Sequence, residues 1–458
     1  MNTSVALRER GRLAGLVNSL LHQAAQQPGW RTPDRRTLRT WRQFLWGIWT
    51  TRSTRLVRVA QAIAPWRRVR SVKAAALGLG YLLAEARWAQ RPFSSRLLLA
   101  AAAQLDPSRL VTHRGYALLV FDPTEYPKRS RGAGKCGRHM QHIGRVRQPA
   151  RGGRRGRKGH GPAATARPAT TSGYVDVWAG LVLKGKQFFP LARHLYSNRH
   201  PRLRSQNRVE EAVLGMARGL ARRLGLRVIV VGDRGLGRKA LIIQLAGEEQ
   251  ACVFRIDADI TAGLGAAAPS QPLAALLAQQ PWLGRVVWER GQEGPLVCQA
   301  RQVRATIRYS RTGRQGDYTE ATLHFVELVP VDGAHEPLVL ATTLATTTLA
   351  EVAGVAGVYA QRWSIEVAFE ILKAWGLGRF MVRGWEAIDR LLWLVALAYT
   401  ILLLALRHPG AGRLTAQAAA LLRQQAVLGR RLTVGKLAEA ISLDALRHRR
   451  AWTAVWLL

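Results

Sequence analysis

Two short apolar runs, Tyr116–Phe121 (YALLVF) and Arg227–Val231, are too short for core helices, so each predicts a buried strand. Each leads into an aspartate, Asp122 after the first and Asp233, one glycine on, after the second. An acid at the mouth of an apolar strand is costly unless solvent, a hydrogen bond or a cation meets it. Both are followed by basic residues, Lys128 and Arg129 after one, and Arg234, Arg238 and Lys239 after the other. Such a pair suggests a cation site where phosphate is also bound, because hard divalent ions take carboxylate oxygens and share substrate phosphates. Tyr174–Val182 and Phe188–Leu195 read as a hairpin about Lys184-Gly185-Lys186, and Arg208–Leu224 as an amphipathic helix. Ala251–Ile256 is a further strand. Strands interleaved with helices predict an α/β core.

The chain has 458 residues, and its 69 Lys and Arg against 28 Asp and Glu leave a net charge of +41, which repels itself unless a polyanion neutralises it. Double-stranded DNA is the expected partner. Residues 1–110 carry nineteen cations against four acids, with tryptophans interleaved and apolar residues such as Leu13, Leu16, Val17 and Leu20 at helical spacing, and are expected to be a basic helical DNA-binding region. The opposing reading makes the tryptophans core and the arginines solvated. Residues 111–410 are expected to be catalytic, with a basic flexible loop at 127–173 that holds no acid and a β-rich insertion at 260–345. Residues 411–458 are expected to be C-terminal helices, possible contributors to a dimer. Cys136, Cys252 and Cys298 form no disulfide framework, and with no secretion signal visible the expected location is the cytoplasm, close to the nucleoid. The loop residues Cys136, His139, His142 and His160 fit metal-ligand spacings poorly. The run Leu391–Leu406 is 16 residues, short of the roughly 20 that cross a bilayer, and reads as a buried helix rather than a membrane span.

A long helix is expected over Glu351–Trp375. At about 100° per residue, Tyr359, Arg362, Glu366 and Lys373 fall within roughly 60° around its axis, beside an apolar stripe of Val358, Ile365, Phe369 and Leu372. Aimed at a phosphodiester, Glu366 would ligate a metal, Arg362 and Lys373 would hold phosphate, and Tyr359 would donate a hydrogen bond or stack. A solvated face with an Arg362–Glu366 ion pair is the plainer reading.

The spacing Y-x2-R-x3-E-x6-K in YAQRWSIEVAFEILK resembles the signature of bacterial DDE transposases of the insertion sequence 4 family. FDPTEYPK and VVGDRGLGRKAL resemble that family's first and second aspartate segments. The resemblance covers about 110–410. It implies an RNase H-like mixed-sheet core with a β-rich insertion, helices before and after it, and a catalytic, metal-binding triad of Asp122, Asp233 and Glu366. It further implies two Mg²⁺ ions, with Mn²⁺ able to substitute, and cut-and-paste cleavage and strand transfer by a homodimer assembled on DNA. Tyr359, Arg362, Lys373, Lys128, Arg129, Arg234 and Arg238 are the candidate DNA contacts. Asp176, Asp257 and Asp259 are rival metal ligands. A decayed or domesticated transposase that only binds DNA, an RNase H-like nuclease, and a ribosomal or nucleoid protein are the alternatives. The last leaves the insertion and the triad without a purpose.

Overall fold

The computed structural model describes residues 3–28, 30, 33–67, 71–86, 90–128, 140–147, 170–265, 268–291, 294–310, 317–407, 412–424 and 432–447. The chain opens with five helices, α1 (Thr3–Ala25), α2 (Arg35–Thr51), α3 (Leu56–Arg67), α4 (Val72–Ala84) and α5 (Gln90–Ala103). Asp34 starts α2 by accepting from the Thr37 amide at 2.9 Å, and the helix buries Trp41, Phe44, Leu45, Trp46, Ile48 and Trp49 completely. Those tryptophans are core rather than groove contacts, which corrects the expectation drawn from their interleaving with arginines. An indole inside a helical bundle buries too much apolar area to be left for a ligand.

The central sheet is built from β1 (Thr112–His113), β2 (Tyr116–Pro127), β3 (Gly144–Arg147), β4 (Thr170–Leu183) and β5 (Gln187–Tyr196). After α6 (Gln206–Arg223) come β6 (Val228–Gly232), α7 (Lys239–Gly247) and β7 (Cys252–Arg255). Strands β5, β4, β2, β6 and β7 lie side by side in that order, β2, β6 and β7 parallel, β4 antiparallel to both of its neighbours β2 and β5. The small pair β8 (Thr261–Ala262) and β9 (Gln271–Pro272) and the short helix α8 (Leu273–Ala278) lead into β10 (Gly284–Glu289), β11 (Pro295–Ser310), β12 (Tyr318–Pro330) and β13 (Leu338–Thr342). β13 pairs antiparallel with β7, so the β-rich segment continues the central sheet, which has eleven strands among the described residues. This is a mixed α/β fold with helices at both ends, consistent with an RNase H-like core.

Two helices replace the single one expected before Trp375. The first, α9 (Leu349–Ala360), begins with a capping box between Thr348 and Glu351 and ends at Gln361; α10 (Trp363–Ala374) follows at once. The helical-wheel relation of Tyr359 to Glu366 therefore does not carry across, because the axis is broken between them. α11 (Trp385–Arg407) has 23 residues rather than 16, since Trp385, Ala387 and Ile388 extend the apolar run toward the N-terminus. That length could span a bilayer, yet 94% of its most apolar window is inside the protein. A helix apolar on all sides is a core helix when protein surrounds it. Here the Trp49 indole donates to Ala398 O at 3.0 Å and Arg390 donates to Leu83 O at 2.9 Å, so the N-terminal helices clasp α11. α13 (Val434–Arg447) packs on both α2 and α11, and α12 (Gly412–Gln424) packs on α13. Leu437, Ala438 and Ile441 of α13 are buried and Ser442 donates to Thr50 O at 2.5 Å. Leu422 of α12 and these α13 residues are thus part of the protein's own core. The final Trp452–Leu458 lies outside the described residues.

Candidate active site

Sheet register brings the two aspartates together. Val120 is paired with Val231 across the parallel β2–β6 ladder, and each aspartate lies two residues further on. β2 does not end at Asp122 as the apolar run suggested: it continues to Pro127 against β4, and only its β6 neighbour stops. Asp122 therefore stands where one side of the strand becomes open. Gly232 is required at the end of β6, because a Cβ there would lie 2.5 Å from the Phe254 ring and 3.2 Å from that of Phe121. Asp233 turns the chain immediately afterwards, its Oδ1 accepting from the Leu236 amide at 3.2 Å.

Packing brings the glutamate. Asp122 is paired with Trp178 across the β2–β4 ladder, and the Phe369 ring meets the Trp178 ring edge-on at 6.0 Å. Glu366 lies one turn before Phe369 on α10, so seating Phe369 on the indole holds Glu366 above Asp122. Between the two carboxylates sits Arg362. Its Nη1 donates to Asp122 Oδ2 at 3.3 Å and its Nη2 to Glu366 Oε1. The half-open cavity around them holds about 1160 Å³ and is also lined by Asp233, Lys373, Arg55 and Arg379.

Electrostatics follow from this crowding. Burial, then the charge of Asp233, push the Asp122 carboxyl up to about 8, and Arg362 only partly offsets them. Burial opposes the Arg362 cation, but Tyr359, Asp122, Glu366 and Asp233 outweigh it and raise its pKa. Tyr359 is buried beside Arg362, with its own hydroxyl pushed up by desolvation. A buried carboxyl that resists ionising beside another carboxylate suits a hard cation, which would relieve both penalties. As the side chains stand, no three acidic, histidine or cysteine residues among those described converge closely enough to ligate one ion. The Arg362 guanidinium occupies the space between two of the carboxylates, so accommodating an ion there requires it to swing aside.

The other residues singled out in the sequence are dispersed. Lys128 lines the cavity but donates to Gly378 O at 2.7 Å and Phe380 O at 3.0 Å, and its ammonium lies 3.2 Å from the centre of the Phe380 ring. Burial pulls its pKa down to about 7, and its two carbonyl contacts tie it to the cavity wall. Arg234 pairs with Asp257 at 3.1 Å on the surface, and Arg238 pairs with the buried Glu210; neither lines the cavity. Asp259 is exposed and lies away from the cavity. Asp176 is excluded as a ligand because its oxygens are saturated: Arg193 holds it bidentately at 2.8–3.0 Å, and Tyr126 and Trp178 donate at 3.0 and 2.7 Å. Arg193 also grips Asp389 of α11 at 2.8 Å, tying the sheet to the core helix. Arg129, Cys136, His139 and His160 lie outside the described residues. Arg55 and Arg379 line the cavity without any local motif to announce them; only their place on the folded surface does so.

No curated protein matches the chain. Residues 204–401, which hold Asp233, Glu366 and the β-rich segment between them, match the family model of the transposase DDE domain, which supports a DDE transposase.

Proposed function

We propose that the protein binds the ends of a bacterial insertion sequence and cuts and rejoins DNA phosphodiesters with Asp122, Asp233 and Glu366 as its catalytic carboxylates. The matched stretch begins after Asp122, so that residue's assignment rests on its position beside Asp233 and Glu366. The observation that carries the reading is one cavity lined by acids from β2, the turn after β6, and α10, in which a single guanidinium donates to Asp122 and Glu366 across 240 residues of sequence. Transposases of the DDE type use divalent metals, and Mg²⁺ suits these oxygen donors. When bound, such ions activate the attacking hydroxyl and stabilise the leaving oxygen of an in-line displacement.

The chain's own residues then have separable tasks. Asp122, Asp233 and Glu366 would hold the ions. Arg362, freed from the carboxylates, is placed to hold a phosphate with its fork, and Tyr359 fixes that guanidinium from below. Lys373, exposed at the cavity rim, adds a second phosphate contact. Positioning and charge neutralisation supply most of the rate, since no covalent nucleophile is required. Two copies are expected to assemble on paired DNA ends, with the DNA neutralising the charge that keeps free subunits apart.

The test is a supercoiled plasmid carrying the element between its own inverted repeats, incubated with the protein and Mg²⁺ or Mn²⁺. Excised element and sequenced target joints are the expected products. DNA bound at the ends but left uncut with either metal would overturn the reading.

A further inference from the structure

The wall of the cavity beyond the carboxylates is made by two segments far apart in sequence, the corner between α2 and α3 and the turn that follows α10. Arg52, in the left-handed region at φ 46°, reverses the chain at the corner. The buried Thr54 hydroxyl then donates to Gly376 O at 2.6 Å, and Gly376 and Gly378 hold φ values of +91° and +83° that only glycine adopts freely. The corner and the turn are thereby fixed to each other.

Three arginines project from this joint. Arg55 and Arg58 come from the corner and Arg379 from the turn; all are exposed, and none reaches a carboxylate among the described residues. Arg55 and Arg379 line the large cavity with the catalytic carboxylates, and with Arg58 they also line an adjoining depression of about 130 Å³. The two hollows share a wall, so cationic surface runs continuously from Asp122 to Arg58. Some arginines elsewhere have carboxylate partners, as in Arg114–Glu351, Arg218–Glu248 and Arg308–Glu320. At the joint Arg52 has Glu439 at 3.7 Å, whereas Arg55, Arg58 and Arg379 have no carboxylate partner among the described residues, and phosphate would supply the charge opposite them. Guanidinium groups in series favour phosphate, which they meet with paired N–H donors.

We infer that Arg55, Arg58 and Arg379 form a phosphate-binding shelf that carries a DNA strand between the catalytic carboxylates and the N-terminal helices. The N-terminal region then contributes to DNA binding from within the same subunit, as part of the active-site wall. The direction of the strand rests on the function proposed above, whereas the binding itself does not.

The experiment measures binding of a fluorescein-labelled duplex of mixed sequence by anisotropy, in EDTA, across roughly 50–200 mM NaCl. The full-length protein is compared with an R55Q/R58Q/R379Q triple variant, with the same three positions changed to Lys, and with R222Q/R223Q. Arg222 and Arg223 are exposed at the end of α6, at the opposite end of β6 from Asp233. The Gln triple is expected to lower the slope of log affinity on log salt by about 2–3, at about 0.9 per phosphate contact. The Lys triple should restore most of the slope, and the α6 pair should leave the shelf's share intact. A Gln triple that is folded by circular dichroism and binds with the slope of the α6 pair would overturn the shelf. Cleavage by the unmodified protein, assayed separately with Mg²⁺, reports on the catalytic reading: a shelf effect without cleavage removes the catalytic role alone, and cleavage without a shelf effect removes the shelf alone.

Discussion

Arg362 and Asp122 are joined by a charge-assisted hydrogen bond of 3.3 Å between residues 240 apart in the chain, and the same guanidinium also holds Glu366. That arginine offsets part of the burial and repulsion that favour the protonated Asp122 carboxyl, which still sits at about 8.

Replacing Asp122 or Asp233 by Asn, or Glu366 by Gln, keeps each shape and removes a charge. Cleavage in Mg²⁺ should fall by on the order of 10²–10³-fold or more in each variant, as for loss of one preorganised electrostatic group. Duplex binding measured in EDTA should hold for Asp122→Asn, whose carboxyl already keeps its proton near neutral pH, and should hold or tighten for the other two, where a negative charge leaves a cationic cavity. Equal loss of binding and cleavage would show that the residue is structural.

The raised Asp122 carboxyl makes stability depend on pH in a defined window. Between the ordinary value of 3.8 and about 8, the folded protein holds this proton more tightly than the unfolded chain does. Its contribution is therefore fully present below pH 4 and is lost as pH rises toward 8. Urea midpoints of the metal-free protein should decline across that window relative to Asp122→Asn, and Mg²⁺ should reduce the difference. Parallel profiles for the two proteins would place Asp122 in a solvated environment.

Arg193 is fully buried between Asp176 and Asp389. Arg193→Met removes the cation and strands two carboxylates in the core, which should cost about 3–5 kcal/mol. Urea denaturation measures it. A loss below about 1 kcal/mol would mean that water reaches the pair.

Removing residues 1–110 should expose the α11 surface that Trp49 and the α4–α5 helices cover. An apolar surface of that kind drives association. The 111–458 fragment is expected to aggregate in light-scattering sizing, whereas a soluble monomer would show that the N-terminal helices are separable from the core.

The sequence by itself determined the strands and the chemical types of the site. Runs such as YALLVF and VIVVG can satisfy their backbone and bury their side chains only as interior strands, and Asp122 and Asp233 are legible because an acid must have a reason to follow such a run. The β-rich segment was legible from alternation, and α11 from its unbroken apolar composition. Tertiary structure decided the rest. Which acids meet depends on strand register: one parallel pairing sets Asp122 beside Asp233, while Asp176, on the neighbouring β4, is consumed by Arg193. The break between α9 and α10 escaped the periodicity because both halves keep an apolar face. The roles of the arginines were illegible for a different reason. A cation's task is set by the carboxylate or open space opposite it, and sequence spacing carries no record of either. Arg238 found Glu210, Arg362 found Asp122 and Glu366, and Arg55 found open cavity, all through an arrangement that exists only once the chain has folded.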